Sequence, residues 1–194
     1  DKYLRNAIRK AIKNNIEAAN EKWDENLDQF YRTYLLTMKK LGSPAHGPKF
    51  FKALHDLLGD KHVKLFVSKK SNETIGAVVA FIGRETIYPA YEGINPNYRN
   101  LNPASLLFDR MLEWGCNNGY RIFDFGRTLR GSGVYNFKKQ WGGREKSLPY
   151  YYLGKNVPKQ DPREKYVYLS KLWGKLPISI AKRIGPYVKG GIGQ

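Results

Sequence analysis

The run TIYPAYEGINPNYRNLNPASLLFDRMLEWGCNNGYRIFDF, residues 86–125, decides the architecture. Thr86–Gly93 is rich in β-formers and reads as a strand. Asn102–Asn118 reads as a helix, with Pro103 in its first turn and Gly119 beyond its end. Apolar residues cover most of that helix's circumference, so it should be buried. Arg121–Phe125 returns as a strand.

Upstream, Val63–Ser68 and Thr74–Ile82 are also β-rich, with turns at Asn72–Glu73 and Gly83–Glu85. With Thr86–Gly93 they form an antiparallel meander. Before the meander, residues 1–13 have apolar residues at helical spacing. Asn14–Ala19 reads as a short strand. Asp24 is placed to cap a helix whose apolar stripe runs from Leu27 to Leu41, and Gly47–Leu58 reads as another short helix. After the second strand, Val134–Trp141 reads as a helix and Leu148–Leu153 as a strand. Helices before a meander, then β-α-β-α-β, predict an α/β fold with a mixed sheet covered by helices on both faces. A basic helical tail follows. From Arg163 onward it carries seven basic residues and one acid.

The expected division is 1–22 as a leading basic helix and short strand, 23–157 as the main domain, and 158–194 as a tail. That tail packs on the domain or contacts a membrane. A start at Asp1 rather than Met fits a piece of something longer.

The chain has 194 residues, 41% of them hydrophobic, which supports a packed core and excludes disorder. Net charge is +17, from 34 Lys and Arg against 17 Asp and Glu. Such a field attracts nucleic acid, anionic lipid or phosphorylated small molecules. It also fits a solvated basic surface without a dedicated partner. Cys116 is the single cysteine, so no internal disulfide forms and a reducing, cytoplasmic setting fits. Its place in an apolar helix predicts a buried structural thiol. His46, His55 and His62 lack metal-ligand spacing, and no metal is expected.

Three sets of residues can carry chemistry. Arg99, Asn102 and Ala104, in RNLNPA, lie where a strand meets a helix N-terminus. Unpaired N–H groups there form an anion site, to which Arg99 adds charge. Asn102 also fits a plain helix cap. Asp124 sits between Phe123 and Phe125 and needs a partner, with Arg127 and Arg130 the nearest candidates. It serves as a structural bridge or as an acid that orients an amine. Gly131 and Gly133 allow a loop to reshape around a ligand. Beyond it, Tyr135 and Phe137 read as core or as an aromatic wall, and Lys138 as an oxyanion partner or a surface lysine. Ser132 has no relay partner and is not expected to be a nucleophile.

DFGRTLRGSGVYNFKKQWG followed by LPYYYLG resembles the C-terminal signature of FemAB-related proteins. FYRTYLLTMKKLGSP, the Asn95–Arg127 run and LWGKLPISIAKRIGP resemble further family segments. The family includes aminoacyltransferases that build peptidoglycan interpeptide bridges. The resemblance implies a fold similar to the acyl-CoA N-acyltransferase (GNAT) fold. It is to the second of two tandem units, so an N-terminal, acceptor-binding unit is expected in the same protein. It places Phe137 and Lys138 at the reacting acyl group, and Asn102 where the GNAT phosphate motif has glycine. It implies no cofactor beyond the donor, aminoacyl-tRNA or acyl-CoA, and an amine-bearing acceptor. A second expectation is a catalytically incomplete basic module that binds tRNA or a membrane surface.

Overall fold

The computed structural model describes residues 1–149, 151 and 167–191. The elements in order are α1 (Lys2–Lys13), β1 (Ile16–Glu21), α2 (Trp23–Lys40), α3 (Pro48–His62), β2 (Val63–Lys70), β3 (Glu73–Ile82) and β4 (Thr86–Ile94). A 3-10 turn (Pro96–Leu101) leads to α4 (Pro103–Asn117), β5 (Ile122–Phe123), α5 (Gly133–Lys139), α6 (Val167–Lys175) and α7 (Ile178–Gly191). The strands form one mixed sheet in the order β1-β2-β3-β4-β5. The first four are antiparallel, and β5 runs parallel to β4. The expected α/β fold is therefore present.

Alternation along β2 and β3 sends side chains to two cores. Leu65, Val67, Ala77 and Val79 face α2 and α3, where Phe30, Tyr34 and Phe51 meet them. Phe66, Val78 and Ala80 face α4, against Leu107, Phe108 and Met111. A third cluster, with Ala11, Ile16, Ile75 and Leu106, seats α1.

Gly93 lets α2 press directly on β4. A Cβ there would lie 2.6 Å from the Thr33 carbonyl carbon and would overlap the Tyr34 backbone nitrogen. One turn on, buried Thr37 binds the same strand. Its hydroxyl accepts from Ile94 N at 2.8 Å and donates to Ile94 O at 3.1 Å.

Several expectations need correction. Asp24 does not cap α2. Lys22 holds the cap position without a side-chain bond, and Asp24 lies in the first turn, because buried Trp23 starts the helix. The first strand begins at Ile16, since Asn15 turns with φ +57°. The strand expected over Arg121–Phe125 pairs only at Ile122 and Phe123. α4 is buried mainly in its first half, and Cys116, near its end, is exposed rather than a core thiol. Half of the strand expected over Leu148–Leu153, residues 150, 152 and 153, lies outside the described residues. Leu148, Pro149 and Tyr151 are not in a strand.

Candidate active site

The site forms where β4 loses its partner. Pairing between β4 and β5 ends at Ile87–Phe123, and the last contact is Asp124 N donating to Ile87 O at 2.9 Å. Beyond that point the two chains diverge, so β4 from Tyr88 onward has no β5 partner.

A bulge decides which side chains line this opening. Val79 pairs with Tyr91 and Ala80 with Pro89, so Ala90 is an extra residue in β4. The insertion switches the alternation. Tyr88 and Tyr91 both meet Phe81 on the α2 side. Glu92 opposes Val78 and joins Ile94 on the α4 side. Glu92 is thereby aimed into the opening.

Glu92 is exposed to water, although neighbouring protein crowds its carboxylate. This desolvation raises its carboxyl pKa, while nearby Arg99 and Lys138 pull it down. Lys138 is the reciprocal case. Burial lowers its pKa, and Glu92 and Asp124 oppose the shift. Two carbonyls aim the ammonium, Gly126 O at 3.2 Å and Arg127 O at 3.1 Å. Gly126 has φ +67°, which bends the chain so that its carbonyl and the next face α5. Ser132 starts α5, its hydroxyl accepting from Tyr135 N at 3.1 Å.

Arg99 and Lys138 thus converge on Glu92. Asp124 joins them electrostatically, but its expected arginine partner is absent. Its carboxylate accepts from Gly126 N at 2.7 Å, which is how it holds the turn. Arg130 instead pairs with Glu145 at 3.5 Å, and Tyr135 donates to the same carboxylate at 2.7 Å. Phe137 packs edge-on against Phe108, with centroids 5.3 Å apart, alongside Trp141. Arg127 is exposed and contributes its carbonyl. Gly131 turns the loop with φ +77°, and Gly133 opens α5.

Asn102 occupies the cap position of α4 without a side-chain cap bond. Its backbone is left-handed, φ 58° and ψ 42°. Asparagine tolerates that region better than other side chains, which explains why it can stand where the phosphate motif has glycine. The N–H groups of the first turn of α4, including that of half-buried Ala104, lack a side-chain cap, and Arg99 lies in the turn before. This is the geometry of an anion site. Asn102→Gly should preserve stability and donor affinity. Asn102→Val should cost about 1–3 kcal/mol through left-handed strain and weaken the donor. Equal melting of both variants would show that the turn does not require this conformation.

Among the described residues, no group of three or more His, Cys, Asp or Glu could hold a metal ion. His55 stacks on Trp23, His46 on Phe50, and His62 contacts Ile82 O.

A mixed sheet whose strands part beside an uncapped helix start is the architecture of the GNAT fold. Residues 2–139, more than half of the chain, match the family model described as "Acetyltransferase (GNAT) domain", and the chain belongs to that family. Solved structures agree on the fold. FemX is similar over 73% of this chain and 54% of its own, at 16% identity and TM-score 0.65. An aminoglycoside acetyltransferase, meta-AAC0020, comes from an uncultured soil metagenomic sample and was solved with sisomicin. It is similar over 74% of this chain and 99% of its own, at 13% identity and TM-score 0.59. AAC(6')-Iy, solved with the bisubstrate analogue CoA-S-monomethyl-acetylneamine, is similar over 73% and 99%, at 16% identity and TM-score 0.54. A search of curated proteins finds no match.

Proposed function

We propose that the domain is an N-acyltransferase that moves an acyl or aminoacyl group from a phosphate-bearing donor to an amine. The observation that carries this reading is Glu92, set on the free side of β4 between Arg99 and Lys138. The donor's phosphate sits at the uncapped start of α4, held by Arg99 and the N–H groups after Asn102. Its acyl arm lies along β4 past Tyr88, where amides can pair with an open strand edge.

An ammonium cannot attack a carbonyl, so the acceptor must lose a proton. A carboxylate with a raised pKa suits that task near neutral pH. Glu92 takes the proton as the amine nitrogen bonds to the carbonyl carbon. The carbonyl π pair moves to oxygen, and Lys138 stabilises that negative charge. The oxyanion then collapses, the bond to the donor's leaving group breaks with its electron pair on that group, the nitrogen's remaining extra proton passes to the departing group, and the amide remains. Asp124 holds the Gly126 turn that aims Lys138.

The resemblance in the Phe123–Gly142 region and the net charge of +17 favour a finer, FemAB-like version. In it the donor is aminoacyl-tRNA and the acceptor belongs to a cell-wall or surface polymer. A polyanion as large as tRNA gains most from such a charge. Acyl-CoA is the second reading, supported by the acetyltransferase family and by a bisubstrate CoA analogue in a protein of like fold.

The test is transfer to a polyamine or aminoglycoside acceptor, with acyl-CoA and aminoacyl-tRNA supplied in turn. Whichever donor works, Lys138→Ala should cut kcat by about 10²- to 10³-fold. It should also move the rising limb of the pH–rate profile to higher pH, because Glu92 loses a cation that lowers its pKa. An unchanged profile would remove Lys138 from the site. Transfer with neither donor would leave the basic-module reading.

A further inference from the structure

The α6–α7 pair is docked on α2 and on the segment that follows it, the latter through close backbone contacts. Gly42, φ +65°, lies so close to Ser170 that a Cβ would be 2.8 Å from the Ser170 carbonyl carbon. Gly185 meets Ala45, and Ala181 is fully buried. Lys182 stands over the Tyr31 ring at 6.0 Å. One side of α7 is therefore spent on the domain.

What the pair leaves in water is apolar. Ile180, Ile184 and Tyr187 repeat at spacings of four and three residues, so they share one side of α7, turned away from Ala181 and Gly185. All three are exposed, Tyr187 by 82%. Leu169 and Leu172 of α6 are exposed too. Interspersed are Lys171, Lys175, Lys182, Arg183 and Lys189, with no acid between residues 167 and 191.

We infer that α6–α7 is an interfacial anchor that seats this domain on an anionic lipid surface. Charge and composition select this occupant. A second copy of the chain would set +17 against +17 and five cations against five. Nucleic acid would use the cations but leave the isoleucines and leucines unburied. An acidic bilayer uses both, with isoleucines in the acyl boundary, Tyr187 at headgroup level and lysines on the phosphates. No described helix is long and apolar enough to cross a membrane, so the contact lies in the interface plane. This inference is independent of the acyl-transfer reading.

The experiment is flotation of the full chain with phosphatidylcholine vesicles, alone and mixed with phosphatidylserine. A basic protein adsorbs to acidic vesicles by charge alone, so the decisive variant keeps every charge. Ile180→Ser/Ile184→Ser/Tyr187→Ser should lower the partition coefficient on mixed vesicles by about 100-fold, with a folded domain whose melting temperature falls by only a few degrees, because Ile180 and Ile184 are 45% and 38% exposed and Tyr187 82%. Lys171→Ser/Arg183→Ser, at exposed cations of the pair, should weaken binding by more than Arg5→Ser/Arg9→Ser, which removes the same charge from α1. The inference is overturned if the triple variant floats like the parent, or if mixed vesicles do not bind. It is also overturned if the two charge variants behave alike, or if tRNA displaces the protein from mixed vesicles as fully as high salt does.

Discussion

Glu92→Gln lowers kcat by about 10²- to 10⁴-fold while leaving the fold at least as stable as the parent. The activity loss follows from the proton. Glutamine keeps the shape and one hydrogen-bond acceptor of glutamate but cannot accept the amine's proton, so roughly 3–5 kcal/mol of transition-state stabilisation disappears. Donor KM should change little, because the anion site at Arg99–Ala104 is untouched.

The stability effect has the opposite sign, and linkage gives the reason. Surrounding protein raises the folded-state pKa of Glu92 above its ordinary value. The folded protein therefore holds this proton more tightly than the unfolded chain does. The group's contribution is most favourable below the ordinary glutamate pKa and is lost as pH rises through the raised one. At neutral pH the carboxylate is charged in an unfavourable place, and glutamine relieves that cost. The pH–rate profile supplies a third readout. Activity in the parent rises as Glu92 deprotonates, and the glutamine variant lacks that limb. A variant with parental kcat and the same rising limb would remove Glu92 as the base.

Gly93→Ala destabilises the protein by about 3 kcal/mol, at the upper end for overpacking. Most added methyl groups meet the ends of flexible side chains, which can move. This one meets backbone, since Thr33 and Tyr34 of α2 lie against Gly93. Relief requires α2 to lift from β4. That strains the Thr37–Ile94 hydrogen bonds one turn away and loosens the packing of Tyr34 among Phe30, Phe51 and Tyr91. For a domain of this size the melting temperature should fall by roughly 6–12 °C. Glu92 precedes Gly93, so activity should fall even below the melting transition. A control is Gly133→Ala, where nothing lies within 4 Å of the added Cβ. It should leave the melting temperature within about 2 °C, the range of a surface change. Equal melting of both variants would refute the close-packing account.

The two alanine variants separate what local sequence can and cannot reveal. Nothing in AYEGIN distinguishes Gly93 from a turn glycine. Its role depends on a helix 60 residues earlier in the chain, and only packing brings them together. The same holds for Glu92. A charged residue in an apolar strand near RNLNPA was a usable signal, because such a group needs a partner or a purpose. Strict alternation, however, would have turned it toward α2. The bulge at Ala90 sends it to the other face, and a bulge is a property of pairing with β3.

Residue type and spacing by themselves determined much. Period-two runs made the meander, because alternating side chains must face two different cores. Pro103 and Gly119 bounded α4, since one lacks an N–H and the other accepts φ +78°. The helix start after Asn102 also marked the anion junction, a consequence of unpaired N–H groups at any helix N-terminus. Tertiary structure alone decided who partners whom. Asp124 found the backbone of Gly126 rather than an arginine, and Arg130 found Glu145. Lys138 found two carbonyls and the field of Glu92. Such pairings depend on where the chain leaves the sheet after Phe123. That departure is set by long-range contacts, which no local pattern of residues contains.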